Sequence, residues 1–281
     1  MTRLSAFIAG RTPAELYEQY LVPGLFTPWA HDLVEGAPRS GRILDLACGT
    51  GVVSRALARR SGTACSIVAV DIAPPMLKAA RQRALSDGVA AQIAFHRAEA
   101  DALPFDDDAF GAAFCQQGIQ FFPDRVAALS EVRRVLRSGG VFAASVWRAA
   151  SDGNPVFEAV ENVIADRLGD DLAPLGPFSF GDAAALKGAF AEAGFRRIEI
   201  EPRSKVVRLP DVETFVLFDI LFLGRPDENG AMQPVIAPDD PAGDAVIAHL
   251  IEDLTFGLAE FVTADGAIEA PMAAHLVRAV A

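Results

Sequence analysis

The sequence predicts an α/β protein built on a mostly parallel sheet with helices on both faces. Three observations predict it. Apolar runs of strand length alternate with helix-length segments from residue 42 to residue 147, the pattern of consecutive strand–helix units. The first run, Arg42-Ile43-Leu44-Asp45-Leu46-Ala47, is followed by the glycine turn Cys48-Gly49-Thr50-Gly51 and then by a helical pattern. The second, Ser66-Ile67-Val68-Ala69-Val70, ends in Asp71, twenty residues beyond Gly51. That is the layout of a nucleoside-binding βαβ unit.

Each element follows in order. Residues 13–35 read as helical: Pro13 suits a first turn, and Leu16, Tyr17 and Tyr20 recur at helical spacing. Pro23-Gly24 breaks the run, and a short helix from Pro28 to Val34 carries Trp29 and His31. After a loop over 36–41 come strand one at 42–47, a helix at 51–60 and strand two at 66–70. A helix from Pro74 to Leu85 opens on proline and closes near Asp87-Gly88, before strand three at 92–96. Asp106-Asp107-Asp108 is a turn, and Ala109 to Cys115 is strand four. A helix from Asp124 to Leu136 stops at Arg137-Ser138-Gly139-Gly140, and strand five runs from Val141 to Trp147. Beyond it the pattern predicts a helix from Asn154 to Leu168 and a loop from Gly169 to Gly181. Asp182 caps a helix that runs to Glu192, with Gly194 just past its end, and Phe195 to Glu201 is strand six. Helices at 210–223 and 243–262 flank a loop with Pro226, Pro234, Pro238 and Pro241, and Ala274 to Val280 forms a final strand.

With 281 residues and 51% hydrophobic composition the chain can bury a sizeable core. The expected organisation is an N-terminal helical segment over 1–40, a nucleoside-binding core over 41–147, and the rest of the sheet with lid or cap helices over 148–281. A net charge of −12 opposes nucleic-acid binding. Cys48, Cys65 and Cys115 form no CxxC pair and no metal-ligand spacing, which suits reduced thiols in the cytoplasm and predicts no metal. The first ten residues lack the apolar core of a signal peptide, and no apolar run reaches ~18 residues, so no membrane insertion is expected.

The glycine turn carries the chemistry. Gly49 and Gly51 let the backbone turn tightly and approach a ligand closely, while the third position of a dinucleotide fingerprint is Ser54. A carboxylate at Asp71 can accept both hydroxyls of a ribose. Asp45 separates the cofactor classes. A dinucleotide would set its pyrophosphate against this acid, and two unit charges ~5 Å apart repel by roughly 3 kcal/mol at an effective dielectric near 20. S-adenosylmethionine offers an ammonium group, a ribose and an adenine, and no phosphate.

The run Ile43-Leu44-Asp45-Leu46-Ala47-Cys48-Gly49-Thr50-Gly51 resembles the first motif of class I S-adenosylmethionine-dependent methyltransferases. The likeness continues through Val70-Asp71-Ile72-Ala73-Pro74-Pro75-Met76-Leu77 and Ala98-Glu99-Ala100-Asp101-Ala102-Leu103-Pro104-Phe105. It closes with Gln120-Phe121-Phe122-Pro123-Asp124 and Arg134-Val135-Leu136-Arg137-Ser138-Gly139-Gly140. It covers residues 41–147 in motif order and is most similar to the ubiquinone/menaquinone-biosynthesis branch, which includes many small-molecule methyltransferases. The resemblance implies a Rossmann-like fold with a mostly parallel seven-stranded sheet, helices on both faces and a helical cap. It also implies residue roles: Asp45 on the methionine amine, the backbone of Ala47, Gly49 and Gly51 along methionine and ribose, and Asp71 on the ribose hydroxyls. Ile72 and Met76 would sandwich adenine. Glu99, standing where the family usually has aspartate after glycine, would take the adenine amino group beside the Ala100 amide. Tyr20 on the N-terminal segment and Gln116 after strand four are candidates for the methionine end. Tyr17, Gln117, Gln120 and Phe121 are candidate substrate contacts.

The implied reaction is an in-line displacement that moves a methyl group to a nucleophile, where alignment alone supplies ~7–11 kcal/mol. A base is needed only if the nucleophile must lose a proton. None of His31, His96, His249 and His275 is marked for that task, so the catalytic residues stay unassigned. The segment 205–265 is rich in Phe and Leu (Phe215, Leu217, Phe218, Ile220, Leu221, Phe222, Leu223). It predicts a cap for an apolar or aromatic small molecule, quinone-, phenol- or polyketide-like. The alternative for that segment is a homodimer interface. Two competing functions are a nicotinamide-dependent oxidoreductase, disfavoured by Asp45 and Ser54, and a non-catalytic S-adenosylmethionine-binding partner protein.

Overall fold

The computed structural model describes residues 1–169, 176–226 and 232–281. Helices α1 (Arg3–Ile8) and α2 (Pro13–Tyr20) lead through a π turn at Val22–Phe26 into α3 (Thr27–Leu33). Then come β1 (Gly41–Leu46), α4 (Val52–Ser61), β2 (Cys65–Asp71), α5 (Pro74–Ser86), β3 (Ile93–Arg97), β4 (Phe110–Gln116), α6 (Arg125–Val135) and β5 (Leu136–Trp147). The chain continues through α7 (Pro155–Leu168), α8 (Ala183–Glu192), β6 (Arg196–Leu209) and α9 (Val212–Ile220). The short strands β7 (Gly224–Pro226) and β8 (Met232–Pro234) precede α10 (Pro241–Gly257) and β9 (Ile268–Val280).

These elements fall into two compact units. One comprises Phe26–Ala149, Phe180–Ser204 and Ala273–Ala281; the other comprises Met1–Leu25, Ala150–Ser179 and Lys205–Met272.

The first unit carries the seven-stranded sheet, in the order β3-β2-β1-β4-β5-β9-β6. The pairs β1–β2, β1–β4, β2–β3 and β4–β5 are parallel, and β9 joins β5 antiparallel. The order reverses between β1 and β4, so the connections leaving their carboxyl ends diverge and open a crevice there. Alternation along each strand feeds both faces. On one face Ile43, Ile67, Ala69 and Phe114 meet apolar residues of α3, α4 and α5, among them Leu33, Leu57 and Leu77. On the other, Leu44, Val68, Val70 and Phe142 meet Leu129 and Val132 of α6 and Leu186 and Phe190 of α8.

The second unit packs α1, α2, α7, α9 and α10 with the β7–β8 hairpin. Thr12 and Glu15 form a reciprocal capping box ahead of Pro13, which starts α2. Phe157 of α7 meets the rings of Phe178 at 4.9 Å and Phe215 at 5.5 Å. Phe215, Val216, Leu217, Phe218 and Ile220 are buried, whereas Phe222 is 49% exposed. Val160, Ile164, Phe215, Asp219, Leu250 and Leu254 line a cavity of about 10 Å³, room for one water. Among the described residues no helix is long and apolar enough to cross a membrane, and no three potential ligands cluster to hold a metal ion.

The strand–helix alternation from β1 to β5 matches the sequence pattern closely, and five departures stand out along the chain. The glycine pair after α6 does not mark a helix stop followed by loop: α6 ends at Val135 and the chain is already extended at Leu136, pairing with Phe110 before a register irregularity ahead of Ala112. Gly139 at φ +79° takes up that irregularity. Strand β6 runs past Glu201 to Leu209, and β9 starts at Ile268 rather than Ala274. The proline-rich stretch after α9 holds the β7–β8 hairpin. Helix α1, absent from the sequence reading, is closed by Thr2, whose hydroxyl accepts from the Ser5 amide. The expected loop at 169–181 includes residues 170–175, and the proline loop includes 227–231, which lie outside the described residues.

Phe142 is fully buried, with Phe190 and Phe195 at ring distances of 5.6 and 5.7 Å. Phe142→Ala should cost about 3–5 kcal/mol of unfolding free energy, measured by urea denaturation. A cost below ~1 kcal/mol would show that this ring cluster does not hold α8 to the sheet.

Candidate functional site

The site begins where β1 runs out. Asp45, one residue before the end of β1, is 1% exposed. It pairs in register with Ala69 of β2 and Phe114 of β4, so it sits at the strand-order reversal. Ser54, on the first turn of α4, donates its hydroxyl to Asp45 Oδ2 at 2.5 Å. Asp45 Oδ1 is buried and accepts no hydrogen bond among the described residues. Burial pushes this carboxyl up to about 7; the Ser54 hydrogen bonds pull the other way.

The turn after β1 is held from several sides. Ala47 takes a left-handed φ of +52°, which costs a non-glycine residue of order 1 kcal/mol. Gly49 follows at +54° and Gly51 at +82°, where glycine is free of that cost. A Cβ at Gly49 would meet only open space, whereas one at Gly51 would press on Ala80 of α5 at 3.3 Å. Buried Arg55 donates to the Thr50 carbonyl and ion-pairs with Asp87 at 3.0 Å, fixing the turn from below. Asp71, at the end of β2, braces it from the side: one oxygen accepts from Gly49 N at 2.8 Å and the other from Ala73 N at 2.8 Å. Burial raises the Asp71 carboxyl against those amide hydrogen bonds. An ionised carboxylate offers about four lone-pair sites, so these two bonds leave room for two more.

The carboxyl end of β4 contributes polar side chains. Gln116 donates to the Phe26 carbonyl at 2.8 Å and pairs in register with Ser145 of β5. Gln117, at φ +52°, is buried, and its backbone N–H donates to the Ser145 carbonyl at 2.9 Å. Gln120 is also buried, on the short helical turn Ile119–Phe121, while Phe121 is 57% exposed. Gly118 admits no side chain: a Cβ there would lie 2.7 Å from both the Ala47 Cβ and the Cys115 sulfur. The turns after β1 and β4 are thus locked together. Cys115 is fully buried, and burial pushes its thiol up to about 12, which leaves it unreactive.

The structure therefore gathers Asp45, Ala47, Gly49, Gly51, Asp71, Gln116 and Gln117 at the carboxyl ends of adjacent strands. Ile72 and Met76 lie on the following connection and first turn of α5, and Ile72 is 57% exposed, so core packing does not explain its apolar side chain. Arg97 holds the Ile72 carbonyl at 3.2 Å. Exposed Glu99 and half-buried Ala100 follow β3. Tyr17 and Tyr20 lie in the other unit on α2, where Tyr17 meets Phe218 at 6.4 Å and Tyr20 stacks on Phe7 at 5.6 Å and takes a hydrogen bond from Arg11. His96 is the penultimate residue of β3, in register with Val70, and His275 pairs with Val146 near the end of β5. His31 and His249 are exposed, His96 packs edge-on against Phe105, and His275 faces the Gly181 carbonyl at 3.0 Å. Sequence reasoning missed Ser54, Arg55 and Ser145. Ser54 did carry a signal, as a polar residue at the otherwise glycine-bearing third position.

A methyltransferase-domain family model matches residues 43–140. The ubiquinone/menaquinone biosynthesis C-methyltransferase UbiE of Pectobacterium carotovorum is 30% identical over 188 residues, 61% of this chain and 74% of that protein. Its namesake from Citrifermentans bemidjiense is 33% identical over 211 residues, covering 70% and 89% of the two chains. The chain belongs to the class I S-adenosylmethionine-dependent methyltransferases. Within them it is similar to the UbiE branch. The methyltransferase shares its fold with a solved N-methyltransferase from Haemonchus contortus in complex with phosphomonomethylethanolamine and S-adenosylhomocysteine. The TM-score is 0.58 at 16% identity, over all of this chain and 60% of that one. Membership removes the nicotinamide-dependent and non-catalytic alternatives. The residues fit the methyltransferase cofactor on their own chemistry: a buried acid with an unpartnered oxygen suits an ammonium group and rejects phosphate.

Because the Asp45 carboxyl lies above its ordinary 3.8 in the folded state, the native protein binds a proton there that the unfolded chain has released between about pH 4 and 7. The wild type therefore loses stability across that window, and Asp45→Asn does not. The stability of Asp45→Asn relative to wild type, from urea melts between pH 4 and pH 8, should rise with pH by a few kcal/mol, at most about 4. A pH-independent difference would show that the acid is not desolvated as described.

Proposed function

We propose that this methyltransferase adds a methyl group to a ring carbon of a small, hydroxylated aromatic molecule of the quinol type. The observation that carries the cofactor half of this reading is the buried Asp45 carboxylate at the strand-order reversal, with one oxygen unpartnered beside a glycine turn braced by Asp71. Support for the acceptor class comes from the relatives, whose names describe C-methyltransferases of ubiquinone and menaquinone biosynthesis.

In this reading S-adenosylmethionine supplies the methyl group: its C–S bond breaks as the ring C–C bond forms, the sulfonium charge is discharged, and the proton displaced from that ring carbon leaves to solvent. Asp45 holds the amine, and the Ala47, Gly49 and Gly51 backbone lies along methionine and ribose. Asp71 accepts from the ribose hydroxyls with the lone pairs that Gly49 and Ala73 leave free. Ile72 and Met76 flank adenine, with Glu99 and the Ala100 amide at its edge. Tyr20 and Gln116 are assigned to the methionine end. Tyr17, Gln117, Gln120 and Phe121 are assigned to the acceptor. Aligning the acceptor against the methyl group supplies most of the rate, on the order of 7–11 kcal/mol. No histidine of this chain is assigned as a base.

Asp71→Ala should weaken S-adenosylhomocysteine binding by about 1–3 kcal/mol in a calorimetric titration, with the urea midpoint lowered less than by Phe142→Ala. Unchanged affinity would remove Asp71 from the cofactor site. For the acceptor, release of S-adenosylhomocysteine over a panel of quinols, phenols and amines should be fastest with a quinol, and a preference for amines would overturn the proposed class.

A further inference from the structure

The loop after β4 holds two glutamines whose hydrogen-bonding capacity the protein does not use. Gln117 and Gln120 are 6% and 3% exposed, and neither the Nε2 nor the Oε1 of either side chain has a hydrogen-bond partner among the described residues. Leaving such groups unmade costs roughly 1–3 kcal/mol each. The backbone adds to that cost, since Gln117 is held at φ +52°, a conformation disfavoured for a residue with a Cβ. The conformation is imposed from both sides, by the hydrogen bond from Gln117 N to the Ser145 carbonyl and by the tight seat of Gly118 against Ala47 and Cys115. Strain and unsatisfied polarity that coincide in one short loop point to a ligand that relieves the second.

The chemistry of the loop narrows that ligand. Each primary amide offers donors and an acceptor and carries no charge. Arg125 donates to the Gln120 carbonyl at 3.0 Å, and its guanidinium lies 4.3 Å from the centre of the Phe180 ring. Phe121, next in the chain, presents an exposed aromatic face. Two neutral amides match a ligand hydroxyl, which both donates and accepts. We infer that Gln117 and Gln120 recognise the ring hydroxyl of the methyl acceptor and select a free hydroxyaryl or hydroquinone ring over its ether. This deepens the proposed function and rests on it.

The test is calorimetric. S-adenosylhomocysteine is first titrated into wild type, Gln117→Leu and Gln120→Leu. Each loaded protein is then titrated with 1,4-naphthohydroquinone, kept reduced, and with its dimethyl ether. The expected result is that the hydroquinone binds wild type more tightly than the ether does. Each substitution should weaken the hydroquinone about tenfold or more and leave the ether and S-adenosylhomocysteine affinities unchanged. Equal binding of hydroquinone and ether to wild type, unchanged hydroquinone affinity in the variants, or no binding of either ring to the loaded wild type overturns the inference. Failure of S-adenosylhomocysteine to bind wild type would instead strike the proposed function. Should Gln117→Leu fail to fold, Gln120→Leu and the wild-type comparison of hydroquinone with ether decide the matter.

Discussion

A carboxylate withdrawn from water at the tip of a central strand is the constraint on which the rest of this structure depends. Burying an acid is expensive, and here one serine hydroxyl offsets only part of the cost, so the carboxyl of Asp45 sits near 7 rather than 3.8. An apolar residue would serve the core better. The surroundings make sense as a receptor for a cation: a turn that brings the backbone close at Gly49 and Gly51, with a second acid, Asp71, tying the turn to β2. In the proposed reading the acid that would meet an amine would also oppose a phosphate.

Precision in that turn is bought with rigidity drawn from elements farther out. Arg55 reaches back from α4 to the Thr50 carbonyl and is anchored by Asp87 past the end of α5, and Gly118 lets the β4 turn lie against Ala47. Two non-glycine residues, Ala47 and Gln117, hold left-handed conformations at the ends of the two strands that flank the reversal. Strain of that kind persists only where the surroundings over-determine it, and both residues sit where a ligand would be gripped. The two sides of the crevice differ in character. The β1 side is charged and suits a cationic group, whereas the β4 side presents neutral amides.

Much of this was legible in the sequence because the signals were redundant. Most of the strands from β1 to β5 and the helices between them had an apolar run and a terminating turn pointing the same way, joined by a proline at Pro74 and by a cap at Asp124, whose carboxylate accepts from Ala127. Reading failed where one signal stood alone. Gly139-Gly140 has the look of a helix stop, but pairing of Leu136 with Phe110 draws the chain straight into β5. Pro202 and the alternating charges around it hid the long edge strand β6, since proline is tolerated at a sheet edge that leaves its nitrogen unpaired. Helix α1 is too short to show a period. Asp45, Asp71, the glycines and Ser54 at the third position were visible as a motif; Arg55 and Ser145 were not, because contacts made only in the fold leave no spacing to read.

The most direct test of the central claim is a count of protons. S-adenosylhomocysteine is titrated into the protein near pH 6 in two buffers of different ionisation enthalpy. If its amine meets Asp45, the acid must ionise on binding, and close to one proton per molecule is released. Binding with no proton release, or with proton uptake, would mean that the buried acid and the ligand amine do not meet.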